Sequence, residues 1–141
     1  MDSIKRDVVE GIILNERNEI LLQKKSADYP FIPGAKWMLF GGQIEQGESP
    51  KETFEREIKE ELSCSLENIQ LFKTKEYNIG DLINGRTHIL KAVFKGEISK
   101  ISLKEGFGFA FFSFSELDSL NILQESFETI KNFFLENKLI K

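Results

Sequence analysis

Glu57, Glu60 and Glu61 stand at positions i, i+3 and i+4 of one segment. In a helix that spacing brings three carboxylates to one face. Like charges so placed repel and cost stability unless something compensates. A divalent cation is the natural compensation. An all-oxygen donor set suits Mg²⁺ or Mn²⁺, whereas zinc sites ordinarily use His or Cys. Arg56, four residues after Glu52 and four before Glu60, can offset part of the acid charge. Upstream, the Gly41-Gly42 pair lets backbone approach a ligand or ion closely and offers unhindered carbonyls. A bare run of acids usually marks only a solvated helix face, so the elements that would hold these residues matter.

The segment around the glutamates carries its own helix signals. Ser49 is a good N-cap, Pro50 suits the first helical position, and Glu52 completes a capping box. Phe54, Ile58 and Leu62 recur every four residues as an apolar stripe, and the helix is expected to end near Leu62 to Cys64. The glutamates oppose that stripe, so the helix can pack on a sheet while its acids face a cleft. Strands are expected at Val8–Leu14, Glu19–Gln23, Trp37–Phe40 (ended by Gly41-Gly42), Ile69–Tyr77, Thr87–Phe94, Ile98–Leu103 and Phe107–Phe114. Residues 26–36 hold two of the three prolines and read as a loop. Leu123, Phe127, Ile130 and Phe134 define a final helix. Strands, helix, strands, helix argue for a mixed sheet with helices on its faces.

Gly42, Glu48, Arg56, Glu57, Glu60 and Glu61 fall in one register. At ~6% average usage each, six fixed positions coincide about once in 10⁷ placements. The stretch from Gly42 to Cys64 resembles the Nudix box: Gly, five residues, Glu, seven residues, Arg-Glu, an apolar residue, any residue, Glu-Glu, any residue, Gly, an apolar residue. Ser63 departs from it, standing where the box has Gly and where the chain must reverse after the helix. Cys64 fills the last apolar slot and reads as a core thiol. Trp37 to Gly42 resembles the strand entering the box, with Phe40 where many members have Pro, and Phe111 to Leu117 resembles the late strand-to-helix segment.

The resemblance implies an α/β fold, a Nudix-type α/β/α sandwich around a mixed β-sheet, forming a single domain over residues 1–141. It implies hydrolysis of a diphosphate linkage in a nucleoside diphosphate derivative, with nucleoside triphosphates or oxidised nucleotides ahead of nucleotide sugars. Glu57, Glu60 and Glu61 would bind the metal, Mg²⁺ or Mn²⁺, with the Gly41 carbonyl assisting. Arg56 and Glu48 would pair and brace the helix. Glu105 is the candidate for a further metal-binding acid outside the box. Such hydrolysis needs a water in line with phosphorus and neutralisation of growing charge. Glu57 or Glu60 would take the proton, with Glu105 as the alternative.

Lys24 and Lys25 end the second strand and can meet phosphate as point charges or lie solvated. Lys24, Tyr29, Phe31 and Trp37 form the candidate substrate-binding set, with Trp37 read as core before base-stacking. His88, the single histidine, has no Ser or Cys partner at useful spacing and receives no catalytic role. Two other readings stay open: a non-catalytic Nudix-fold module that binds a nucleotide or metabolite, and a prenyl-diphosphate isomerase. Three mutually repelling acids argue against the first, and Cys64 is poorly placed for the second.

The bulk properties agree with a small enzyme. With 141 residues, 40% hydrophobic and 30% charged, the chain can bury one core. Most of the 13 Phe read as core filler. A net charge of −4 argues against stable nucleic-acid binding yet allows a small-molecule nucleotide, since a metal supplies the local positive charge. One cysteine permits a reducing interior, no secretory h-region follows the charged start, and no apolar run spans a bilayer. A cytoplasmic protein without membrane attachment is expected. Oligomeric state is open, a homodimer included.

Overall fold

Alternation along the central strands decides the architecture. The structure is a computed structural model that describes residues 4–28, 34–79, 83–97 and 108–140. Its strands are β1 (Ile4–Leu14), β2 (Ile20–Lys24), β3 (Trp37–Met38), β4 (Phe40–Gln43), β5 (Glu67–Ile79), β6 (Ile83–Val93) and β7 (Gly108–Phe112). Helix α1 (Pro50–Leu62) lies between β4 and β5, and α2 (Gln124–Glu136) follows a 3-10 helix at Phe114–Ser119.

β1 runs parallel to β6 along its whole length, from Ile4↔Ile83 to Leu14↔Val93. β5 lies antiparallel on the far side of β6, with two register irregularities. β4 lies antiparallel on the other side of β1, from Val8↔Gln43 to Gly11↔Phe40. At Leu14↔Ile20 the sheet passes to β2, which carries β3 on one side and β7 on the other.

Successive strand residues point to opposite faces. Val9, Ile13, Leu21, Phe40, Leu90 and Ala92 face α1 and pack on its Phe54, Ile58 and Leu62. Ile12, Ile20, Leu22, Leu39 and Ile89 face the other way, onto Ile130, Phe133 and Phe134 of α2. The result is a mixed sheet between two helical layers. Gly11 belongs to the α1 side, where a Cβ would run into the Phe54 ring. The fully buried Phe54 therefore depends on a residue without a side chain opposite it.

The box helix forms as its local signals dictate. Ser49 caps it, Glu52 returns the capping-box bond to the Ser49 N–H, and Pro50 opens it. Ser63 closes it in the left-handed conformation at φ 54°, a region where a side chain is strained.

Most strand boundaries shift from the sequence reading, β6 among them, which begins at Ile83 rather than Thr87, and two of the shifts bear on the site. β1 begins at Ile4 rather than Val8, because its pairing with β6 continues through the polar residues. The strand expected at Trp37–Phe40 is two strands, and Gly41-Gly42 lie inside the second rather than ending it, held there by β1. The strand expected at Ile98–Leu103 lies outside the described residues.

Candidate active site

The turn from β4 into α1 brings the box residues together. Glu48 accepts from the Glu45 N–H at 3.1 Å and from the Thr53 hydroxyl at 2.9 Å. Arg56 donates to both Glu48 oxygens, Nε at 2.7 Å and Nη2 at 3.0 Å. This two-pronged pairing is the strong geometry for a guanidinium and a carboxylate. It holds the Glu48 carboxyl down to about 2, and it raises the Arg56 pKa in turn. Arg56 Nη2 also donates to the Gln43 carbonyl at 3.3 Å. One arginine thus ties the end of β4, the connecting turn and the second turn of α1.

The remaining nitrogen of Arg56 faces the acid row. Nη1 donates to Glu57 at 3.1 Å and to Glu60 at 3.5 Å. The Glu57 side chain keeps 17% of its exposure and that of Glu60 keeps 60%. Burial pushes the Glu57 carboxyl above its usual range; Arg56 pulls it down and Glu60 and Glu45 push it up. Burial outweighs the single arginine, so the charged form of Glu57 is disfavoured, and a cation beside it would favour that form again. Glu61 is half-buried on the same helix.

Gly42 explains how Glu57 fits. A Cβ at position 42 would coincide with the Glu57 carboxyl group. The missing side chain is a cradle for that carboxylate against β4, beside Gly41. A Cβ at Gly41 would strike the Val9 carbonyl, so only glycine suits there as well. Among the described residues no three acids converge to coordinating distance, since Glu57 and Glu60 both turn to Arg56. The donor set nevertheless fits a hard dication. It is all oxygen, Glu57 is largely buried with Glu60 beside it on the helix, and a backbone carbonyl lies one residue from its cradle.

The other candidates are placed unevenly. Lys24 pairs with Trp37 across β2 and β3, and its Nζ lies 5.8 Å from the centre of the indole ring. Trp37 is half-buried and meets Phe112 edge-on at 4.9 Å, within the α2-side core. Tyr29, Phe31 and Glu105 lie outside the described residues. Gln43, Glu45 and Thr53 carry no sequence signal as site residues. Their parts depend on backbone carbonyls and turn geometry, which residue type does not reveal. His88 does have partners: Thr74 at 3.1 Å and Asp7 at 2.8 Å, linking β5, β6 and β1. Cross-strand neighbours of this kind are invisible to sequence spacing. Glu10 is missed by motif and spacing alike, although a lone acid within the apolar stretch Val8–Leu14 is itself a signal; its side chain is largely desolvated.

The NUDIX domain model matches residues 4–133. The chain belongs to the Nudix family. Over 77 residues it is 36% identical to the 8-oxo-dGTP diphosphatase of Escherichia coli K12, covering 55% of this chain and 58% of that protein. Over 84 residues it is 36% identical to the nucleoside triphosphatase NudI of Enterobacter sp. strain 638, covering 60% and 56%. The alignments thus span little more than half the length of these relatives. The fold is similar to that of the MutT protein from Methanosarcina mazei Go1, with a TM-score of 0.75 at 22% identity over 98% of this chain and 99% of that one. This Nudix chain therefore shares a whole fold with its structural neighbour. No helix among the described residues is long and apolar enough to cross a membrane.

Proposed function

We propose that the chain is a single-domain, Mg²⁺- or Mn²⁺-dependent hydrolase of nucleoside triphosphates, acting in the cytoplasm on normal or oxidised nucleotides. The observation that carries this reading is the Glu57 carboxylate set in the Gly42 cradle, beside Glu60 and Glu61 and one residue from the Gly41 carbonyl. The named activities of the two relatives above point to the same substrate class.

Glu57, Glu60, Glu61 and the Gly41 carbonyl would hold the ion. When bound, the ion neutralises phosphate charge and acidifies a water. Arg56, held by Glu48, keeps the acid row oriented and meets part of its charge while no substrate is present. Glu57 or Glu60 accepts the proton of the attacking water. The water oxygen joins phosphorus as the anhydride P–O bond breaks, and the bridging oxygen leaves on the departing phosphate. Lys24 is well suited to meet a phosphate oxygen, since an ammonium stacked on an indole face remains a point charge. Glu105, Tyr29 and Phe31 stay as proposals drawn from the sequence.

The test is turnover against a panel of nucleoside triphosphates, 8-oxo-dGTP and nucleotide sugars, with and without added metal. Activity is expected only with the metal, and Glu60→Gln is expected to lower kcat by about 10²-fold or more. Binding of these nucleotides without any turnover would instead establish a binding module.

A further inference from the structure

Leu39 is the residue at which one strand gives way to another. Met38 before it pairs with Gln23 of β2, and Phe40 after it pairs with Gly11 of β1. The peptide groups of Leu39 therefore fall between two ladders, and the residue is buried. A buried N–H or C=O with no partner is costly. Two side chains supply the partners. The Leu39 N–H donates to the Ser126 hydroxyl, and the Leu39 carbonyl accepts from the Gln23 amide, each at 3.2 Å. Gln23 lies on the α1 face of β2 with Leu21, whereas Ser126 comes from the first turn of α2. Both are almost fully buried, where a polar side chain is uncommon without a bond to make. Just upstream, the Trp37 N–H donates to the Asn121 carbonyl and the Leu123 N–H donates to the Trp37 carbonyl, both at 2.9 Å. The crossing from β3 to β4 is thus held by β2 on one side and by the start of α2 on the other.

That crossing controls the end of the strand that meets the acid row. β4 joins β1 with Phe40 at Gly11, Gly41 at Glu10 and Gly42 at Val9. In this register Gly42 faces α1, where the Glu57 carboxyl takes the place of a side chain. A shift by one residue exchanges the two faces of a strand, and would set another residue of β4 under Glu57. Glycine-rich strands specify their own register weakly, having few side chains to lock it. Of the 4 residues of β4 only Phe40 is buried. The register therefore depends on that ring and on the two bonds at Leu39.

We propose that Gln23 and Ser126 are positioning residues for the metal site. By gripping Leu39 they fix how β4 joins β1, and so where the Gly41 carbonyl and the Gly42 cradle stand against Glu57. They act through the backbone and do not coordinate the ion. This rests on the reading of Glu57 and the Gly41 carbonyl as ligands of a dication. Removing partners that orient a metal's ligands typically weakens metal binding by about 10–100-fold.

The test is a Mn²⁺ titration of the substrate-free protein, with circular dichroism and thermal melting, for wild type, Gln23→Met, Ser126→Ala and Thr129→Ala. Gln23→Met keeps the length of the side chain without its donor, and Ser126→Ala removes a single oxygen. Thr129 is the control: it is buried one turn further along α2, and its hydroxyl donates to the Glu125 carbonyl of the same helix at 3.0 Å. Gln23→Met and Ser126→Ala are each expected to stay folded and to weaken Mn²⁺ binding by about 10-fold. Thr129→Ala is expected to bind within about 2-fold of wild type, whatever its melting temperature. A change below about 3-fold in both clamp variants, even with lowered melting, assigns the two bonds to stability alone and overturns the proposal. Equal weakening in Thr129→Ala overturns it too. Should Gln23→Met fail to fold, Ser126→Ala, the smaller change, decides. A wild type that binds no Mn²⁺ removes the metal-site reading and this inference with it.

Discussion

Arg56 makes contact with Glu48, Glu57, Glu60 and the Gln43 carbonyl, so it serves two purposes at once. Its bond to Glu48 braces the turn, and its remaining nitrogen holds the acid row. The Glu48 pairing has a direct pH consequence. Its carboxyl is lower in the folded chain, at about 2, than its ordinary 4.5. Such a group stabilises the fold above its unfolded value and loses that contribution as pH falls through the folded one. Melting temperature should therefore drop between about pH 4.5 and about pH 2, and Glu48→Gln should flatten part of that slope while lowering stability at neutral pH. An acid profile identical in Glu48→Gln and wild type would mean that the pair is not felt. Arg56→Lys should lose the two-pronged bond and lower kcat without a matching rise in KM, since lysine cannot reproduce the planar fork.

Among the elements, α1 is fully legible in the sequence, because its cap, its capping box and its apolar stripe are all local. The split of residues 37–43 into β3 and β4 is not legible there. It depends on β1 pairing with Gly41 and Gly42, contacts separated by some thirty residues of chain. A glycine pair reads as a stop signal unless a partner strand is known. Ser63 is legible as a departure from the family pattern, and its left-handed backbone shows where the strain falls. Ser63→Gly should raise stability by about 0.5–1 kcal/mol, measured by urea unfolding, the gain being reduced by glycine's freedom in the unfolded chain. Ser49→Ala should lose about 1 kcal/mol by removing the cap. A stabilising effect of Ser49→Ala would contradict the capping role.

At the scale of the whole molecule, the sheet does two jobs with one strand. β1 presents Val9, Gly11 and Ile13 to the box helix and Glu10 and Ile12 to α2. The parallel partner β6 lies about eighty residues away in sequence, which is why the sequence shows the order of the strands but not their neighbours. Spacing and the family resemblance together single out the box glutamates; the bonds of Glu57 and Glu60 to Arg56, and the Gly42 cradle of Glu57, emerge only from the fold. That cradle also makes Gly42→Ala informative, because the added methyl would expel the Glu57 carboxyl and should reduce turnover more than stability. The claim beneath all of this is that the acid row holds a dication, and Mn²⁺ binding followed by loss of the free-ion electron paramagnetic resonance signal tests it without any substrate. Wild type should deplete that signal and the double variant Glu57→Gln, Glu60→Gln should leave it nearly intact, with both proteins folded by circular dichroism. Equal Mn²⁺ binding by the two proteins, or none by the wild type, would contradict it.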